Sequence, residues 1–196
     1  MKERKIDKFS LLIFDEVYDP AEDSFLLAEN LAVKPGDVVL DVGSGTGLIT
    51  LAAIAKGAKR VVAIDVSSLA AKNTLINADK NGCKEKVDVI VGDIIAPLKP
   101  GVFFDVVAFN PPYLPVSDKG RLGLAWSGGK TGRKTVNRFV RMAKKLHPQT
   151  AFQIILSSVM QPEKVLRKLS LLGFKYSVDA RRKFFFEEII LISFSR

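Results

Sequence analysis

The stretch Val38-Val39-Leu40-Asp41-Val42-Gly43-Ser44-Gly45-Thr46-Gly47 decides the architecture. A short apolar run of strand length ends in three glycines at alternate positions. An apolar helical pattern over about Leu48–Lys56 follows directly. A strand, a glycine loop and a helix in that order open an α/β unit, with the loop at the strand's carboxyl end.

Working outward, strand and helix alternate. A helix begins at Asp23 or Ser24 and runs through Phe25 to Leu31. Beyond the glycine loop come a strand at Arg60–Asp65, a helix at Ser68–Lys80 and an alternating strand at Val87–Val91. A further strand is expected at Phe103–Phe109. Past a Pro/Gly-rich loop, Lys134–Leu146 is helical and Ala151–Leu156 is a strand. Pro162–Leu172 makes another helix, with Pro162 in its first turn and Gly173 at its stop. Phe174–Asp179 and Phe184–Phe194 read as an antiparallel pair joined by Ala180–Lys183. The expected fold is an α/β Rossmann-like sheet of the class I methyltransferase type, mostly parallel, ending in a C-terminal antiparallel hairpin. Residues 1–196 are expected to form a single domain.

At 196 residues, with 47% hydrophobic content and a mean hydropathy of +0.16, the chain is not a disordered polymer. No apolar stretch approaches the roughly 20 residues that span a bilayer, and the charged start lacks a following apolar segment of the secretory kind. The lone cysteine, Cys83, excludes an internal disulfide and offers no metal cluster, so the expected compartment is the cytoplasm. Net charge is +9. Lys134, Arg138, Arg141 and Lys145 form one helical stripe opposite Val136, Phe139, Val140, Ala143 and Leu146. That stripe is either a solvated face or a surface for polyanions such as nucleic acid or the ribosome.

The glycine loop reads Gly43-x-Gly45-x-Gly47, whereas a dinucleotide fingerprint would need glycine at position 48, where Leu48 stands. A pyrophosphate requires a helix N-terminus aimed at it. S-adenosylmethionine has no phosphate and requires only close backbone. Asp41 can receive its methionyl ammonium, Asp65 at the end of the next strand its ribose hydroxyls, and Asp93 its adenine amino group, with Ile94 against the ring. Taken singly, each aspartate can equally be a loop cap.

The second motif, Asn110-Pro111-Pro112-Tyr113, follows the apolar run Phe104-Asp105-Val106-Val107-Ala108-Phe109. A planar amide or aryl nitrogen must regain sp³ character to attack a sulfonium methyl, and acceptors for its N–H groups stabilise that change. The Asn110 side-chain oxygen and the Pro111 carbonyl can serve, while Tyr113 stacks on the planar group. Asn110, Pro111 and Tyr113 are therefore the candidate catalytic residues. No strong general base is needed, because the proton can leave after transfer.

Three stretches carry a family resemblance: Val17–Ser24, Asn110–Tyr113 and Ala125–Arg133. Together with the glycine loop they make the chain resemble the HemK-type protein-glutamine methyltransferases in their compact archaeal and eukaryotic branch. The resemblance implies a seven-stranded sheet and a cofactor pocket lined by Ser24, Asp41, Gly43, Asp65, Asp93, Ile94 and Asn110. It implies, as acceptor, the glutamine of the Gly-Gly-Gln loop in class I release factors. Because Asn-Pro-Pro-Tyr is shared with enzymes acting on adenine and guanine amines, a nucleic-acid amine stays open as acceptor, as does lysine. The branch also implies a small zinc-finger activator subunit pairing with an edge strand, here about Val87–Val91, with Val87, Val89 and Val91 on one apolar face.

Among other features, Phe184-Phe185-Phe186 is expected to alternate into the core of a strand. His147 reads as a helix C-terminal residue. Trp126 is divided between lid packing and contact with the acceptor.

Overall fold

The structure, a computed structural model, describes residues 1–114, 129 and 131–196. It opens with a hairpin of β1 (Lys2–Ile6) and β2 (Phe9–Ile13), followed by α1 (Glu22–Glu29). Next come β3 (Val38–Val42), α2 (Leu48–Ala55), β4 (Arg60–Asp65), α3 (Ser68–Lys80), β5 (Val87–Val91) and β6 (Val106–Phe109). The remainder comprises α4 (Lys134–Met142), β7 (Ala151–Ser157), α5 (Pro162–Leu171), β8 (Lys175–Lys183) and β9 (Glu188–Ser195). Seven strands form one sheet in the order β5-β4-β3-β6-β7-β9-β8. The five strands from β5 to β7 are parallel, while β9 runs antiparallel to both β7 and β8. This is the expected α/β sheet with its terminal hairpin.

Strand alternation divides the core into two layers. Val39, Val106 and Ala108 pack with Leu26 and Leu27 of α1 and with Ile49, Ala52 and Ala53 of α2. Their neighbours Leu40, Val107 and Phe109 face the other way, against Val136, Phe139 and Val140 of α4 and Val165 and Leu169 of α5. Asp41 shares the Val39 face, which brings it to Thr50 of α2; the Thr50 hydroxyl donates to its carboxylate at 2.7 Å. The cross-strand pair Phe152 and Phe194 stacks at 4.7 Å between centroids.

The sequence gives little sign of the N-terminal hairpin. It is held by three asparagines of the α3 segment at i, i+4 and i+8, which lie on one helix face. The backbone N–H groups of Phe14, Leu12 and Ser10 donate to the side-chain oxygens of Asn73, Asn77 and Asn81. The same amides donate back to the carbonyls of Leu12 and Ser10. They thus pair the free edge of β2 as another strand would. Asn77 also donates to the Thr46 carbonyl, which ties the hairpin to the glycine loop.

Three expectations need correction. β8 continues through Ala180–Lys183, and the turn falls instead at Phe184–Glu187, closed by a 2.8 Å bond from the Phe184 N–H to the Glu187 carbonyl. Phe185 and Phe186 are therefore not core residues but are 94% and 89% exposed. The strand expected from Phe103 begins at Val106, because Phe103 turns outward to meet His147 edge-on. The helix expected to reach Leu146 tightens into a 3₁₀ turn at Ala143–Lys145, although the buried face proposed for it is correct. Among the described residues, no helix is long and apolar enough to cross a membrane.

Candidate active site

A cavity of about 890 Å³ opens at the carboxyl ends of β3, β4, β5 and β6. Ser24, Gly43, Gly45, Asp65, Asp93, Ile94, Asn110, Pro111 and Tyr113 all line it. Asp41 and Gly47 lie behind its wall: Asp41 is buried on Thr50, and a Cβ at Gly47 would meet Thr74 at 3.1 Å. Burial pushes the Asp41 carboxyl up to about 7, the Thr50 hydroxyl opposing and the charge of Asp65 adding.

At the glycine-loop end, backbone sets the shape. The Gly45 N–H donates to Asp65 Oδ2 at 2.9 Å and the Ser67 N–H to Oδ1 at 2.8 Å. Burial raises the Asp65 pKa, while the N–H groups of Gly45, Ser67 and Val66 pull it back. Asp65 therefore clamps the loop and keeps further lone pairs for a ligand. Gly43 has φ of +68°, and an added Cβ would come within 3.3 Å of the Phe109 ring. Asp93 is paired with Arg138 of α4 at 2.6 Å, a partner the sequence reading did not anticipate.

At the other end, side chains set the shape. Asp23 is 4% exposed. It accepts from the Tyr18 hydroxyl at 3.1 and 3.2 Å, from Tyr113 at 3.2 Å, and from the N–H and hydroxyl of Ser24 at 2.6 and 3.2 Å. With its proton given to Asp23, the Ser24 oxygen accepts from Asn110 Nδ2 at 3.1 Å. That assignment fixes the amide: its nitrogen turns to Ser24, and Asn110 Oδ1 is left buried with no donor among the described residues. Burial first, and then the charge of Asp23, hold both tyrosine hydroxyls well above the ordinary phenol range. Tyr113 is thus a hydrogen-bond donor at any ordinary pH, not a base.

Gly132 explains one glycine of the Ala125–Arg133 stretch. Its φ is +68°, and any Cβ there would collide with the Tyr113 carbonyl oxygen. Arg133 secures the same turn through the Met160 carbonyl at 2.6 Å. Trp126 and the rest of 125–128 and 130 lie outside the described residues. The roles of Asp23 and Tyr18 were not read from the sequence, nor were the cavity positions of Glu187 and Arg138. Only the spacing of Tyr18, Asp23 and Ser24 within one resembling stretch could have pointed to them.

The open sheet with helices on both faces, its terminal hairpin and a cavity at the strand ends define a class I methyltransferase. A structure of the Encephalitozoon cuniculi Mtq2–Trm112 complex, which methylates the eRF1 translation termination factor, superposes with a TM-score of 0.74 at 24% identity, over 92% of this chain and 99% of that one. Residues 22–110 match the family model for ribosomal protein L11 methyltransferase (PrmA). A Methanocaldococcus jannaschii protein named "Putative protein N5-glutamine methyltransferase MJ0928" is 38% identical over 194 residues, 96% of either chain. Human methyltransferase HEMK2 is 29% identical, over 93% of this chain and 91% of its own. The chain belongs to the HemK-type protein N5-glutamine methyltransferase family.

Proposed function

We propose that this enzyme transfers a methyl group from S-adenosylmethionine to the side-chain amide nitrogen of a glutamine, that of the Gly-Gly-Gln loop of a class I release factor. The observation that carries this reading is Asn110 Oδ1, a buried acceptor that meets no donor among the described residues. Leaving such an atom unmet costs about 1–3 kcal/mol. An incoming N–H relieves that cost, and more strongly as positive charge grows on the nitrogen.

The residues present fit the cofactor. Gly43 and Gly45 put backbone on the cavity wall, Asp65 retains acceptor capacity for the ribose, and Asp93 and Ile94 line the same wall for the adenine. When bound, S-adenosylmethionine supplies an activated methyl on sulfur. Asn110 Oδ1 and the Pro111 carbonyl orient the acceptor N–H groups, and Tyr113, tethered to Asp23, gives the planar amide a face to rest on. Transfer would form the N–C bond as the methyl–sulfur bond breaks, and the nitrogen would release its surplus proton to solvent. With its hydroxyl held protonated, Tyr113 acts by positioning rather than as a base.

A small zinc-finger partner on β5 belongs to the same reading. β5 is the outer strand of the sheet, and Val91 is 58% exposed there. Val87 and Val89, by contrast, pack toward α3 and the hairpin. A nucleic-acid amine is the second reading, favoured by the basic residues of α4, of which Lys134 and Arg138 line the cavity. The test is mass spectrometry of a cognate release factor incubated with enzyme and S-adenosylmethionine, with and without the partner, beside labelled RNA and DNA pools. Monomethylation of the Gly-Gly-Gln glutamine is expected. An unmodified glutamine alongside robust labelling of nucleic acid overturns the assignment in favour of the second reading.

A further inference from the structure

The Phe184–Glu187 turn puts two phenylalanines into solvent at the rim of the catalytic cavity. Phe185 and Phe186 are almost fully exposed, and they pack on each other edge-on, 4.8 Å between centroids. Burial is the default for phenylalanine, so an adjacent exposed pair is a feature to be explained. The stem beneath them is anchored. Arg182 bonds Glu22 and Glu29 of α1, each at 2.8 Å, and Arg181 bonds Glu188 at 3.2 Å. The Glu188 N–H donates to the Ser158 hydroxyl at 3.0 Å. Glu187, the next residue after the two rings, turns inward: its carboxylate accepts from Ser157 at 2.6 Å and lines the same cavity as Asp23, Asn110 and Tyr113.

We infer that Phe185 and Phe186 are the docking point for the folded protein that carries the acceptor glutamine. This inference rests on the reading above and extends it from the reacting amide to the body of the substrate. Three observations favour that occupant. The turn is continuous with the cavity through Glu187, the residue after Phe186, so a surface that enters the cavity meets the segment that carries both rings. Lys183 stands exposed on the stem beside the rings, so a matching patch is apolar at its centre with an acidic group at its edge, as in a protein–protein contact. The edge proposed for the small subunit, β5, is at the far end of the sheet from β8, which leaves this hairpin free for the substrate. Exposed aromatics held on a clamped stem lose little freedom on binding, which is what makes an anchor effective.

The test is steady-state methylation of the folded release factor by wild type, by Phe185→Ser/Phe186→Ser and by Phe185→Leu/Phe186→Leu, with S-adenosylmethionine affinity measured separately. The serine variant is expected to raise KM for the release factor about 10- to 100-fold with kcat and cofactor affinity unchanged. The leucine variant should recover most of that loss. An unchanged KM, or a fall in kcat accompanied by weaker cofactor binding, overturns the docking role. An unchanged KM with an altered sedimentation coefficient assigns the rings to a second copy of the chain and overturns it too. A wild type inert on the release factor is a separate result: it overturns the substrate reading itself, and this proposal with it.

Discussion

The two ends of the cavity are built on different principles. At the glycine-loop end, the contacts that close on Asp65 link residues 20 and 2 positions apart, and both come from backbone N–H groups, those of Gly45 and Ser67. At the Asn-Pro-Pro-Tyr end, the contacts link residues 86 and 90 positions apart, and both are side chain to side chain. A backbone cradle fixes shape regardless of which side chains surround it. The side-chain network fixes the orientation of one amide, and each member depends on the next. The cofactor end is thus robust, and the acceptor end is where a single atom decides activity.

The largest effect is expected where the network terminates. Asn110→Ala should lower single-turnover methylation about 10²–10³-fold, the range for loss of one preorganised transition-state contact. Cofactor affinity and melting temperature should stay close to wild type. Near-normal turnover in the folded variant would dissolve the distinction between the two ends.

The next test concerns charge behind the glycine loop. With its pKa pushed up to about 7, Asp41 holds its proton in the folded chain more tightly than in the unfolded one. Its contribution to stability is therefore complete below about pH 4 and is lost as pH rises through about 7. Over that window the wild type should lose about 3 kcal/mol relative to Asp41→Asn in the absence of cofactor. Thermal melts at pH 5 and pH 8 measure this. Parallel pH profiles for the two proteins would mean that Asp41 is already ionised.

Asp65→Ala removes the loop clamp together with the proposed ribose acceptor. Calorimetry should show S-adenosylmethionine binding weakened by about 1–3 kcal/mol. Wild-type affinity would remove Asp65 from the binding site. The smallest effect sharpens the comparison most. Asp23→Asn should slow kcat about tenfold without changing cofactor affinity, since the amide geometry loosens while the cradle is untouched. A loss of cofactor affinity instead would mean that the two ends are one unit.

The same division explains what could be read from residues alone. Parallel strands buried on both faces, Val38–Val42 and Arg60–Asp65 among them, announce themselves as apolar runs, and glycines at alternate positions mark the loop between strand and helix. Asn110 and Tyr113 were legible because their chemistry is local to four residues. Asp23 was not, because the partner that joins it to the reaction centre, Tyr113, lies 90 positions away and a carboxylate in the first turn of a helix looks like an ordinary start signal. Phe184–Phe186 misled for a physical reason: three aromatics have high strand propensity, yet the turn requirement of the hairpin overrode it and sent two of the rings outward.

The asparagine ladder between α3 and β2 behaves as a vernier. One rung on the helix advances four residues, about 6.0 Å, whereas one rung on the strand advances two residues, about 6.6–6.8 Å. The two scales drift apart by about 0.7 Å at each step. The middle rung, Leu12 to Asn77, measures 2.8 Å, and the rungs on either side both measure 3.1 Å. A slide of the hairpin by two residues would leave one of the three asparagines without its backbone partner, which favours the observed axial setting. The chain leaving β2 runs on to Tyr18, Asp23 and Ser24, and so the incommensurate spacing of a helix and a strand helps set where the buried carboxylate meets the tyrosine of the reaction centre.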